Sequence, residues 1–78
     1  MSTVKIYSTP MCPYCIRVKK YLKDKGVLFE NIDVSTDQKG LQEMIAVSGQ
    51  MGVPVVWIDG EVIVGFDQAK INTRLGLS

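Results

Sequence analysis

Cys12 and Cys15 are the only cysteines in the 78-residue chain, with Pro13 and Tyr14 between them. A bridge between the two would close a loop too small to staple a fold, and a stapled secreted domain of this size usually carries four or more cysteines. Three readings of the pair stand: a redox dithiol, two inert thiols, or part of a zinc site. Zinc takes about four ligands. The chain has no histidine, so a site within one chain would need unusual help from carboxylates. Position favours redox chemistry, because the pair follows a first strand and opens a helix. The nucleophile in such chemistry is the thiolate. Cys12 lies where the helix begins, where unpaired N–H groups and the helix dipole stabilise negative charge, so it is expected to ionise more readily than a free cysteine. Cys15 lies one turn inside, on an apolar face, and is expected to be less exposed and less acidic. The asymmetry assigns roles: Cys12 attacks and Cys15 resolves the mixed disulfide.

The elements around the pair follow from periodicity. Val4-Lys5-Ile6-Tyr7 alternates as a short strand. Pro13 suits a first helical position. Cys15, Val18 and Leu22 then trace one apolar helix face, which Gly26 ends. Val27 to Val34 reads as a second strand. Ser35 with Gln38 resembles a capping box, opening a helix through Leu41, Met44, Ile45 and Ser48 that stops at Gly49. Val53 to Ile58 and Glu61 to Val64 flank Asp59-Gly60, a strong hairpin signal. Asp67 can cap a last helix through Leu75, closed by Gly76. The order is β-α-β-α-β-β-α. The helical crossover makes the first two strands parallel and right-handed, and the hairpin makes the last two antiparallel. An α/β domain spanning 1–78 follows, with a mixed four-stranded sheet flanked by three helices.

Composition limits the partners. Net charge is +1 and 46% of residues are hydrophobic, which suits a globular chain and gives no strong field for nucleic acid or anionic membrane. No apolar run reaches membrane-spanning length, and no signal-like segment opens the chain. A soluble cytoplasmic monomer is expected. Arg17, Lys19, Lys20, Lys23 and Lys25 place five of nine cationic residues on one helix, opposed there by Asp24. They read either as a solvated face or as a positive field that assists the thiolate and attracts anionic thiols. Screening over a Debye length of roughly 8 Å limits the second reading.

Cys12-Pro13-Tyr14-Cys15 is identical to the dithiol motif of glutaredoxins. Val53-Pro54 followed by a hairpin, then Gly65-Phe66-Asp67 before the last helix, continues the resemblance across nearly the whole chain. The resemblance implies a thioredoxin-like fold with sheet order 2-1-3-4 and a cis peptide before Pro54, beside the dithiol. It implies reduction of protein disulfides and glutathione mixed disulfides, with glutathione as co-substrate and no resident cofactor or metal. It implies a substrate groove of Thr9, Tyr14, Val53, Pro54, Gly65, Phe66, Asp67 and Gln68, in which the backbone of Val53 pairs with an extended substrate.

The chain departs from the family at the groups that hold glutathione. Thr9 stands where a lysine is common, Gly52 where threonine is, Leu41 where Gln or Arg is, and Gln68 where a second aspartate is. Charge-assisted hydrogen bonds are worth about 1.5–3 kcal/mol each, so these changes weaken the expected grip on glutathione; Lys39 or the helix start at Asp67 would partly compensate. Gly65-Phe66 also resembles redoxins recharged by thioredoxin reductase, which usually lack Pro-Tyr between the cysteines. That glutathione-independent electron donor is the alternative reading. An iron–sulfur carrier is disfavoured by Pro13 and Cys15, and a binding module with idle thiols is the remaining rival. Tyr14 reads as flanking a bound thiol, Phe66 as groove or core, Trp57 and Tyr7 as packing residues, and Met11 as an apolar lip.

Overall fold

Residues 3–77 are described by a computed structural model; Met1, Ser2 and Ser78, at the ends of the expected domain, lie outside the described residues. Seven elements follow in chain order: β1 (Val4–Ser8), α1 (Pro13–Asp24), β2 (Glu30–Asp33), α2 (Gln38–Ser48), β3 (Val55–Ile58), β4 (Glu61–Val64) and α3 (Gln68–Leu75). The strands form one sheet ordered β2-β1-β3-β4. β1 runs parallel to β2, while β3 is antiparallel to both β1 and β4. The mixed sheet and the order 2-1-3-4 are those the sequence and its resemblance implied.

Alternation along the strands divides the interior in two, because successive side chains point to opposite faces. Val4, Ile6, Val56, Ile58 and Ile63 meet Val18 and Leu22 of α1 and Ile71 of α3 on one face. Tyr7 and Val55 meet Met44 of α2, together with Val34, on the other. Trp57 joins this second layer half-buried, with the Lys5 ammonium 5.3 Å from its ring centre. Both faces of the short sheet are therefore covered, and the central strands are apolar except at Lys5 and Ser8.

Two expectations are corrected. The second strand is only Glu30–Asp33, not Val27 to Val34. Its ladder starts with Glu30 opposite Lys5, so residues before it run past the start of β1 and have little strand to pair with. The Val27 N–H instead bonds the Leu22 carbonyl at 2.9 Å, closing α1. The cap of α2 is Asp37, whose side chain accepts the Gly40 N–H at 2.9 Å. Ser35 is engaged elsewhere: its N–H and hydroxyl both donate to Asp33 Oδ1, at 2.9 and 2.5 Å. Those two bonds, the hydroxyl's first, hold the Asp33 carboxyl below its ordinary range.

The hairpin turn has positive φ at both central residues, 48° at Asp59 and 95° at Gly60, the requirement behind the Asp-Gly signal. Gly40 answers a different constraint. It is buried in the first turn of α2, and a Cβ there would collide with Cγ2 of Ile32, a β-branched side chain with little room to yield. Gly40→Ala should therefore destabilise the fold. The overpacking cost of about 1–3 kcal/mol exceeds a helix-propensity gain of about 1 kcal/mol. Urea unfolding should show a lower midpoint with an unchanged slope.

Candidate functional site

Cys12 is the N-cap of α1. Its backbone is extended, at φ −92° and ψ 114°, and Pro13 occupies the next position. Its Sγ accepts the N–H of Cys15 at 3.2 Å, and its carbonyl accepts the N–H of Ile16 at 3.1 Å. A sulfur thus holds the place usually taken by a Ser, Thr, Asp or Asn oxygen. Negative charge formed on that sulfur meets an amide hydrogen and the positive end of the helix. The Cys12 N–H donates to the Thr9 carbonyl at 3.4 Å, fixing the loop that leads from β1 into the cap.

Cys15 differs from Cys12 in its surroundings. It is fully buried and lies on the stripe formed with Val18 and Leu22, whereas Cys12 is partly exposed. Both thiols are free. Burial pushes the Cys15 thiol up to about 11, and its hydrogen bond with Cys12 adds to the rise; a backbone hydrogen bond from Thr9 and the charge of Lys19 pull the other way. The burial expected of Cys15, and the resistance to ionisation that burial brings, are present.

The opposing wall comes from the loop before β3. The Gln50 side chain grips the Gly52 backbone at both ends, accepting from its N–H at 2.5 Å and donating to its carbonyl at 3.0 Å. The chain then passes through a cis Val53–Pro54 peptide, as the resemblance implied. The Val53 carbonyl lies 3.9 Å from Cys12 Sγ. The Pro54 carbonyl accepts the N–H of Gly65 at 2.8 Å. These bonds gather Thr9, Cys12, Cys15, Val53, Pro54 and Gly65 into one constellation.

The remaining expected groove residues make contacts of their own. Tyr14 is 57% exposed, and its ring centre lies 5.4 Å from the Arg17 guanidinium. Phe66 is half-buried, packs on the α1-side core and lies 5.6 Å from the Tyr21 ring, so core packing claims much of it. Asp67 caps α3 by accepting the Lys70 N–H at 3.1 Å. Gln68 opens α3 and is exposed. Met11 is almost fully exposed beside the cap.

One group escaped the sequence reading. Ser8 is buried at the end of β1; its hydroxyl donates to Asn31 Oδ1 at 2.6 Å and accepts from Lys19 Nζ at 3.4 Å. The period-2 series Val4, Ile6, Ser8 is the signal that places it on the face shared with α1. On the other face, the buried Tyr7 hydroxyl donates to Glu43, and burial and that contact together raise its ionisation well above the usual tyrosine range.

The family model described as Glutaredoxin matches residues 4–63. The chain is 51% identical over 69 residues to an uncharacterized glutaredoxin-like 8.6 kDa protein in the rubredoxin operon of Clostridium pasteurianum, covering 88% of this chain and 92% of that protein. It is 40% identical over 78 residues to glutaredoxin 3 of Escherichia coli K12, covering 99% and 94%. The crystal structure of a glutaredoxin from Archaeoglobus fulgidus superimposes with a TM-score of 0.86 at 29% identity, covering 96% of this chain and 87% of that one.

Burial, the leading cause of the Cys15 rise, should survive removal of its neighbour. In Cys12→Ser, the ultraviolet thiolate absorbance of the remaining cysteine is expected to appear only above the ordinary value of 9.0. Because the folded value is raised, the proton on Cys15 stabilises the native state fully below that ordinary value, and the contribution is lost as pH rises through about 11. A Cys15→Ala chain should lose less stability over the same alkaline range, measured by thermal unfolding at stepped pH.

Proposed function

The chain belongs to the glutaredoxin family, and from that premise we propose that it reduces protein disulfides and glutathione mixed disulfides through Cys12 and Cys15. The observation that carries the reading is the Cys12 sulfur seated as the helix cap, 3.2 Å from the Cys15 N–H. In the first step the Cys12 thiolate attacks one sulfur of the substrate disulfide. The substrate S–S bond breaks, the leaving sulfur keeps the electron pair and takes up a proton, and a mixed disulfide forms on Cys12. In the second step Cys15 loses its proton and attacks Cys12 Sγ. The mixed disulfide breaks, the second substrate thiol departs, and a Cys12–Cys15 disulfide remains. Two electrons have passed from protein to substrate.

Tyr14, Val53 and Pro54 flank the incoming disulfide in this reading, with Thr9, Gly65, Phe66, Asp67 and Gln68 completing the groove. Recharging by glutathione reverses the exchange: one glutathione forms a mixed disulfide and a second releases it as oxidised glutathione. Thr9 and Gln68 favour a second reading, because neither carries the charge that glutathione-holding relatives place there. In that reading thioredoxin reductase recharges the dithiol and the protein passes electrons to other reductases.

Cys12→Ser should reduce every disulfide substrate at the background rate. Cys15→Ser should keep activity on glutathione mixed disulfides, yet lose at least about tenfold on protein disulfides, because the bound thiol is no longer displaced from within. Coupled assays with glutathione and glutathione reductase, then with thioredoxin reductase, separate the two recharging routes. Activity in the second system alone removes glutathione from the proposal, and full activity of Cys12→Ser removes the mechanism.

A further inference from the structure

Next to the dithiol along α1, but not containing it, α1 and the segment Val27–Phe29 border an open concavity of about 750 Å³. Its walls include Ile16, Lys19, Lys20, Lys23, Leu28 and Phe29. Two of the apolar residues face solvent to an unusual degree, Leu28 at 83% and Ile16 at 54% exposure. The cationic side is only partly neutralised: Asp24 pairs with Lys20 at 3.2 Å and the Lys19 ammonium is turned to Ser8 and felt by Asp33, whereas Lys23 has no such partner among the described residues. β2 is an outer strand of the sheet, with no further strand beyond it among the described residues.

We propose that this trough holds an extended, acidic and apolar stretch of the protein substrate, running away from the sulfur that Cys12 attacks. The inference rests on the redox reading above and adds the substrate class to it. Continuity with the dithiol supports it: Ile16 lies one turn from Cys12, joined by its N–H to the Cys12 carbonyl. From Cys12 to Lys23, α1 rises about 16 Å at roughly 1.5 Å per residue. An extended chain covers that length in about five residues. A partner segment with both carboxylates and apolar side chains within that distance of its reactive cysteine matches a trough that sets lysines and Ile16 on α1 against Leu28 and Phe29 on the facing segment. The lysines call for carboxylates and the exposed Leu28 and Ile16 for apolar side chains, which one polypeptide segment supplies together.

Binding and turnover test the two layers separately. Fluorescence anisotropy on the full reduced chain would compare a labelled peptide of alternating Glu and Leu, a matched peptide of Lys and Ser, and a short single-stranded oligonucleotide. The acidic peptide should bind about tenfold tighter than the other two, and weaken as salt rises. A Lys23→Glu/Leu28→Ser chain should lose that preference while reducing a small dialkyl disulfide at the wild-type rate. Equal binding of the two peptides, or an oligonucleotide binding as tightly as the acidic one, overturns the docking proposal whatever the activity. Loss of small-disulfide reduction in the unaltered chain instead overturns the redox reading, and anisotropy still decides the trough. With both peptides carried as mixed disulfides, the wild-type chain should reduce the acidic one with about tenfold higher kcat/KM.

Discussion

A sulfur used as a helix cap places opposing demands on the first turn of α1. A cap must accept an N–H to spare the helix an orphan donor, and a nucleophile must remain open to its substrate. The Cys12 side chain meets both, accepting from Cys15 N while staying partly exposed. Much of the surrounding structure can be understood as holding this compromise. The Thr9 carbonyl fixes the entry into the turn, Pro13 sets the first helical residue, and the buried Cys15–Val18–Leu22 stripe clamps the helix to the sheet. Gln50, through its grip on Gly52, shapes the loop that brings Val53 opposite the sulfur.

The two sulfurs differ because the helix and the sheet treat them differently, although only two residues separate them. Cys12 stands at the polar end of a helix, while Cys15 faces the interior. Around Cys15 the interior is not wholly apolar: Ser8, Asn31 and Lys19 form a polar seam at the end of β1, and Lys19 opposes the burial that makes the thiol hard to ionise. The same lysine lines the neighbouring trough. The resolving sulfur and the outer basic face of α1 are therefore joined through one side chain.

Much of this was legible in the order of residues, and the failures have physical causes. The dithiol's place at a helix start, the Asp-Gly turn and the Asp67 cap are local events, governed by residues adjacent in sequence. The α2 cap was misassigned because Ser35 and Asp37 both qualify by type, and only the fold shows Asp33 taking the Ser35 hydroxyl. The length of β2 depends on where its partner β1 begins, a tertiary fact that its apolar run does not encode. Gly40 gave no pattern to read, since its constraint is a close approach to Ile32 from another element. Phe66 was undecided between groove and core by composition, and its contact with Tyr21 joins residues far apart in the chain. Ser8 reads as the start of a loop reaching Met11, but it is the last residue of β1, because Asp33 of β2 pairs with it, a partner distant in the chain.

Trp57 has a practical consequence. The single indole of the chain sits in the α2-side layer beside Lys5, with the sheet between it and the helix that bears the sulfurs. Its emission is placed to report melting of that layer and to stay largely indifferent to whether the dithiol is open or closed. An experimenter following electron flow through this molecule by its native fluorescence would be watching the wrong side of the sheet.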